Sequence, residues 1–148
     1  EAEEPMRRAL KIDEASYGPD HPTVAICLNN LAQLLKATNR LEEAEEPMRR
    51  ALKIDEASYG SDHPTVARGL NNLALLFKKT NRLAEAEGPM RRALGILFRF
   101  TQTVGHKHPH LDSTIKNYTQ ILVESGKTPE QAQTEIAALH TEYGVPQS

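Results

Sequence analysis

Residues 43–60 read Glu-Ala-Glu-Glu-Pro-Met-Arg-Arg-Ala-Leu-Lys-Ile-Asp-Glu-Ala-Ser-Tyr-Gly, and the same eighteen residues stand at 1–18. The copy does not stop there. Laid over 43–84, residues 1–42 differ at seven places only: Pro19/Ser61, Ile26/Arg68, Cys27/Gly69, Gln33/Leu75, Leu35/Phe77, Ala37/Lys79 and Glu42/Ala84. A fixed period of this length marks a chain built from one supersecondary unit repeated along an axis. A third copy opens at Glu85-Ala86-Glu87-Gly88-Pro89-Met90-Arg91-Arg92-Ala93-Leu94, gains three residues before His108-Pro109, and then decays. Such decay suits a terminal unit, one face of which meets water instead of a neighbour.

Within each unit the apolar spacing is helical. Ala2, Met6, Ala9 and Leu10 recur at intervals of three and four, predicting a helix over 1–16. Glu3 and Glu4 precede Arg7 and Arg8 by four residues, the favourable order for exposed ion pairs, and the pattern recurs at Glu45/Arg49, Glu46/Arg50 and Glu87/Arg91. Tyr17-Gly18-Pro19-Asp20-His21-Pro22 breaks the helix. Gly18 can take a positive φ, Asp20 or His21 can cap the next helix, and Pro22 fits a first turn. Val24, Ala25, Leu28, Leu31, Ala32, Leu34 and Leu35 then give a helix over 22–37 that is apolar enough to pack on both sides. Thr38-Asn39-Arg40 is a tight turn, and Asn39 followed by Glu42 reads as a capping box for a helix over 41–58. Leu41, Ala44, Met48, Ala51, Leu52 and Ile54 should face inward there. Pro47 is tolerable so near the helix start. The period places further helices at 64–79 and 83–100, with a last pair near 109–124 and 128–143. Thr128-Pro129-Glu130-Gln131 is a start signal, and Ala132, Ile136, Leu139 and Tyr143 form one stripe. The expected fold is all-α: about seven helices in antiparallel pairs.

The residues then carry a specific resemblance. Leu28-x-x-Leu31-Ala32-x-x-Leu35, Asn39-Arg40-Leu41-x-x-Ala44, Met48 and Ala51 resemble the tetratricopeptide repeat pattern. Ala32, Ala44 and Ala51, and again Ala74, Ala86 and Ala93, match its small-residue positions. The 42-residue period, the Tyr-Gly-x-Asp-His-Pro connector and Leu-Asn-Asn-Leu-Ala are similar to the kinesin light chain subgroup. Two departures stand out: Leu41 and Leu83 replace the family's early aromatic, and the Pro that ends shorter repeats is absent. The resemblance implies a right-handed superhelical solenoid and one domain over 1–148. Its parts would be the second helix of a truncated repeat (1–18), repeats at 22–60 and 64–103, and a divergent terminal repeat or cap at 108–144. It also implies a concave groove lined by the first helix of each repeat.

Carried over position by position, the groove residues are Ile26, Asn29, Asn30, Gln33, Lys36 and Ala37. In the next unit they are Arg68, Asn71, Asn72, Leu75, Lys78 and Lys79. In the last they are Ser113, Lys116, Asn117, Gln120, Val123 and Glu124. Three of the seven differences between the near-identical copies fall on this list: Ile26/Arg68, Gln33/Leu75 and Ala37/Lys79. Asn29 and Asn71 offer both amide donors and acceptors to an extended backbone. Lys36, Arg68, Lys78, Lys79 and Lys116 make the groove locally positive in a chain of net charge −2. The expected ligand is an extended protein or peptide segment of acidic character. The bland alternative is that the asparagines satisfy local polar groups and the lysines keep the surface soluble. A second function class is a structural or self-associating repeat segment within a larger regulatory protein.

Other chemistries find little support. The charge balance gives no broad basic field for nucleic acid. No apolar run approaches the roughly 18–20 residues that span a bilayer. There is no Gly-rich phosphate loop, nucleophilic triad or paired acid, so neither an enzyme nor a cofactor is expected. Zinc could use His106-x-His108-x-His110, but only Asp112 stands near, and His108 already belongs to the repeated His-Pro start. The single Cys27 precludes an internal disulfide framework and suits a reducing, cytoplasmic location. The chain starts inside a repeat without an initiator Met, so we expect a piece of a longer protein. The first helix then lacks its partner, and its bare stripe of Ala2, Met6 and Ala9 should promote weak self-association.

Overall fold

In the computed structural model residues 2–147 are described, and they form seven helices with no strand among them. These are α1 (Glu3–Tyr17), α2 (Pro22–Ala37), α3 (Leu41–Tyr59), α4 (Pro64–Lys79), α5 (Leu83–Val104), α6 (Leu111–Glu124) and α7 (Pro129–Tyr143). The chain divides into two compact units between Gly69 and Leu70, inside α4.

The connectors explain the repeated motifs. After α1 and α3, Gly18 and Gly60 take φ of +92° and +89° with extended ψ, a region open essentially to glycine alone. Tyr17 then stacks on His21 at 4.8 Å, and Tyr59 on His63 at 4.7 Å. Nδ1 of His21 and of His63 each accepts the backbone N–H two residues on, at 3.1 Å. His21 is therefore the cap that the sequence offered as an alternative to Asp20. At the second connector the expectation fails. Asn39 does not begin α3; it ends α2. Asn39 and Asn81 sit at φ +62° and +61°. The N–H of Arg40 reaches back to the Leu35 carbonyl at 2.8 Å, and that of Asn39 to Lys36 at 3.0 Å. This is a Schellman closure with Asn in the left-handed place. Arg40 then opens α3 with no side-chain cap and pairs with Glu43 at 2.7 Å.

In the first unit α2 lies against both α1 and α3. Val24, Ala25 and Leu28 meet Ala51 and Ile54, with Leu10 of α1 added from its side. Ala32 and Ala44 are fully buried, so these helices approach through small residues. Two ion pairs tie α1 to the α3 side: Arg40 to Glu3, and Arg50 to Glu14. Arg50 thus reaches across to another helix rather than back to Glu46. Burial, and then the hydrogen bond to Asp13 at 2.9 Å, push the Cys27 thiol up to about 11, which keeps it protonated. In the second copy Gly69 stands in the place of Cys27, and a Cβ there would come within 3.2 Å of Leu52 Cδ1.

The second unit departs from the repeat. The three inserted residues appear as helix: α5 has 22 residues against 19 in α3 and runs four beyond the expected Phe100, ending on left-handed Gly105. The helix α6 starts at Leu111, not Pro109, because a turn closed by the Leu111 N–H on the His108 carbonyl (3.0 Å) precedes it. Thr128 and Gln131 form a reciprocal capping box at the start of α7. That helix packs on α5 as well as α6. Phe98 stacks on Tyr143 at 5.5 Å and meets His140 edge-on at 4.8 Å.

His108 carries a pH prediction. Its Nδ1 accepts the His110 N–H at 3.0 Å, which requires an unprotonated nitrogen. Burial, then the charge of His110, lowers its pKa below the free value. The contribution to stability is therefore full above about 6.5 and is lost as pH falls through the lower folded value. We expect the His108 ring resonance in NMR to titrate below the free-histidine midpoint. Loss of stability over that window should shrink in a His108→Asn variant. A free-like midpoint would remove His108 from the cap.

Candidate functional site

The expected groove residues are surface residues on first helices, and each unit has its own set. On α2, Ile26 (58% exposed), Asn30 and Gln33 are exposed, while Asn29 and Lys36 are half-buried. Arg68, in the first-unit part of α4, is exposed. Its charge opposes the effect of burial on Asp55, whose carboxyl is nonetheless pushed up.

In the second unit the structure brings the expected residues together. Asn117 Nδ2 donates to Asn71 Oδ1 at 3.2 Å. Two helical turns further along, Lys78 Nζ donates to Gln120 Oε1 at 3.1 Å and pairs with Glu124 at 3.3 Å. Contacts at 71/117 and 78/124 fix α4 and α6 side by side and in the same direction. The Asn71–Asn117 and Lys78–Glu124 contacts are 46 residues apart in sequence and Lys78–Gln120 is 42 apart, so none matches the 45-residue offset that aligns the His-Pro starts of the two helices, and the pairing follows helix register. Asn72 and Leu75 are half-buried beside the rungs; Lys79, Lys116 and Gln120 are exposed.

This face has the chemistry of a binding strip more than of a reaction centre. Each amide of the Asn71–Asn117 pair has one group engaged and keeps a second for a ligand. Lys78, Lys79 and Lys116 outweigh Glu124, so the strip is positive. Glu124 holds Lys78 in place, and an incoming carboxylate could take over that partner. Behind the strip, Tyr118 is fully buried, and its hydroxyl donates to Glu135 at 3.1 Å. Lys127 meets the other Glu135 oxygen at 2.9 Å. Against burial, which would raise it, these two hydrogen bonds hold the Glu135 carboxyl low. The Tyr118–Glu135–Lys127 chain anchors α6 to α7 and was not legible as a set, since its members lie far from any motif.

An open groove of about 730 Å³ lies on another side of α6 and α7, lined by Ile115, Thr119, Gln133, Ile136 and Ala137 among others. It gathers one charged side chain, Glu130. Among the described residues no three His, Cys, Asp or Glu side chains converge as a metal site. The histidine run is used otherwise: His108 caps a turn, and its ring meets Phe100 edge-on at 4.8 Å. Among the described residues no helix is long and apolar enough to cross a membrane.

A tetratricopeptide repeat family model matches residues 1–57 and 48–97. Among solved structures, BtubC (BKLC) from P. vanneervenii superposes on 99% of the chain with a TM-score of 0.79 and 25% identity. Two crystal structures of a Podosopora anserina kinesin light chain with nearly identical TPR-like repeats superpose on 95% of it, with TM-scores of 0.73 and 0.71. Their identities, 16% and 17%, speak for the fold alone. The chain spans 58% of the first structure and 66% of the other two, less than two thirds of each. No curated protein matches it.

Proposed function

We propose, from the premise that the chain belongs to the tetratricopeptide repeat family, that it is a non-catalytic interaction scaffold holding an extended, acidic protein segment. The observation that carries this reading is the α4–α6 strip. There Lys78 is held between Gln120 and Glu124 beside exposed Lys79 and Lys116, next to the Asn71–Asn117 pair. Lysines lend on-rate and discrimination, while the amides hold backbone irrespective of side-chain sequence. Ile26, Asn29, Asn30, Gln33, Lys36 and Arg68 serve the same purpose on the first unit. Neither nucleic acid nor a membrane is a partner in this reading. A cytoplasmic location belongs to it too, supported by a lone cysteine with no second cysteine in the chain to pair with.

The test is a screen of fluorescent Asp/Glu-rich peptides against the whole chain by anisotropy. For a peptide that binds, Lys78→Glu should weaken affinity at least tenfold, which is about 1.4 kcal/mol. Glu124→Gln should strengthen it a few-fold, and both effects should shrink as salt rises. Indifference to Lys78→Glu would overturn the reading.

A second reading concerns α1, where Ile12 and Tyr17 are 63% and 56% exposed. Association with another polypeptide through that face, weak self-association included, accounts for apolar side chains in water. Light scattering across a concentration series measures the self-associating part, and a constant monomeric mass would remove it.

A further inference from the structure

The connectors α1–α2 and α3–α4 are built alike: each has the glycine turn, the Tyr–His stack and the histidine cap. One polar contact beside them differs. In the first copy Cys27 Sγ donates to Asp13 Oδ2 at 2.9 Å. The second copy keeps the acceptor and deletes the donor, with Asp55 in the place of Asp13 and Gly69 in the place of Cys27. Asp13 is half-buried, whereas Asp55 is 4% exposed. Among the described residues no hydrogen bond or ion pair reaches the Asp55 carboxylate; burial pushes its pKa up, and Arg68 and then His63 oppose that shift through their charges alone. Its oxygens are not sealed off, since among the described residues no fully enclosed side-chain oxygen lacks a partner. Leu52 Cδ1 stands 3.2 Å from where a Gly69 Cβ would be, so carbon takes part of the room of the missing thiol and no donor replaces it. A buried acceptor without a donor is costly, and native folds supply one.

We infer that Asp55, beside Gly69, is a binding subsite for one small neutral donor, the serine hydroxyl of a bound segment, whose neighbouring acidic residue meets Arg68. The first copy shows the chemistry that fits: a CH2–SH group donates there, and the CH2–OH of serine carries the same single donor on an equally short stem. Arg68, exposed and one residue from Gly69, repels a lysine or arginine and attracts a carboxylate. Discrimination follows from the acceptor's burial: a ligand that covers Asp55 without a donor leaves it desolvated and unpaired. The first copy makes no such demand, because Cys27 already supplies the donor and Ile26 stands where Arg68 does. Two nearly identical units thus select different side chains. The inference rests on the acidic-segment reading above and names a side chain that reading leaves open.

The test has two arms. The first uses no peptide. In a Cys27→Ser background, Gly69→Cys puts a thiol opposite Asp55. Its alkylation by iodoacetamide as a function of pH should titrate well above the ordinary thiol value of about 8.5, and adding Asp55→Ala should lower that midpoint. The second arm measures anisotropy of labelled Asp/Glu-rich peptides with the whole chain, each peptide carrying one serine or, in its place, alanine. The serine form should bind about tenfold more tightly. Asp55→Ala, and separately Gly69→Cys, should erase that difference with helix content unchanged. An ordinary titration of the introduced thiol would overturn the assignment. So would equal affinity for serine and alanine peptides, or a serine preference that survives Asp55→Ala. Binding that falls with Lys78→Glu but shows no serine preference removes the subsite and leaves the α4–α6 strip standing, whereas a chain that binds no acidic peptide removes both.

Discussion

Replacing Phe98 by alanine lowers stability by about 3–5 kcal/mol, the range for truncating a fully buried phenylalanine, and detaches α7 from α5 before other helices open. Phe98 has no exposed surface and bridges both rings that α7 sends toward α5, Tyr143 and His140. The site is also where the third copy leaves the repeat. In α1 and α3 the equivalent position is Glu14 and Glu56, and Glu14 is the partner of Arg50. The preceding position changes from Asp13 and Asp55 to Leu97. Lys11 and Lys53 become Gly95, where a Cβ would stand 2.7 Å from the Tyr143 hydroxyl. An ionic clip to a following repeat has thus become an aromatic seat for a closing helix. Desolvated aromatic contacts contribute more than surface ion pairs, whose usual worth is below about 1 kcal/mol. Denaturant unfolding gives the magnitude, and hydrogen exchange should show amides of residues 129–143 losing protection first. A loss below about 1 kcal/mol with α7 still protected would show that something other than Phe98 seats that helix.

Much of this was legible in the sequence because repetition acts as an internal control. Helix number, the His-Pro starts, the Gly turns and the small-residue contacts at Ala32 and Ala44 all follow from spacing and local chemistry. Asn39 misleads because asparagine suits two jobs, capping a helix start and adopting positive φ at a helix end. Only the position of the Leu35 carbonyl decides between them. Arg50 escaped because an arginine side chain can reach either Glu46 along its own helix or Glu14 on another. The α4–α6 rungs escaped for a related reason: their offsets of 46 and 42 residues belong to packing register, not to the 45-residue offset that aligns the His-Pro starts of the two helices. The groove list placed Asn71, Lys78, Asn117 and Gln120 on one face. The list also held Glu124, but it did not reveal that each of these residues already has a partner there, Glu124 pairing with Lys78.

Environment is the property that repetition hides most completely, and the paired isoleucines measure it. Ile54→Ala should destabilise the first unit by about 2–4 kcal/mol, within the range for truncating a buried aliphatic side chain. Ile12→Ala should shift stability by less than about 0.5 kcal/mol, since alanine, the better helix former, offsets the small contact that is lost. The two residues have identical neighbours in sequence, from Glu1/Glu43 through Gly18/Gly60. Helix propensity and local charge therefore cancel in the difference, and what remains is tertiary burial. Ile54 lies with Val24, Ala25, Leu28 and Ala51 at 3% exposure, so its removal leaves a cavity bounded by two helices. Ile12, at 63%, gives up little contact. Denaturant midpoints of the two variants, read with a probe in residues 2–69, supply the comparison. Equal losses would mean that α1 is covered in solution, by a second copy or by local refolding.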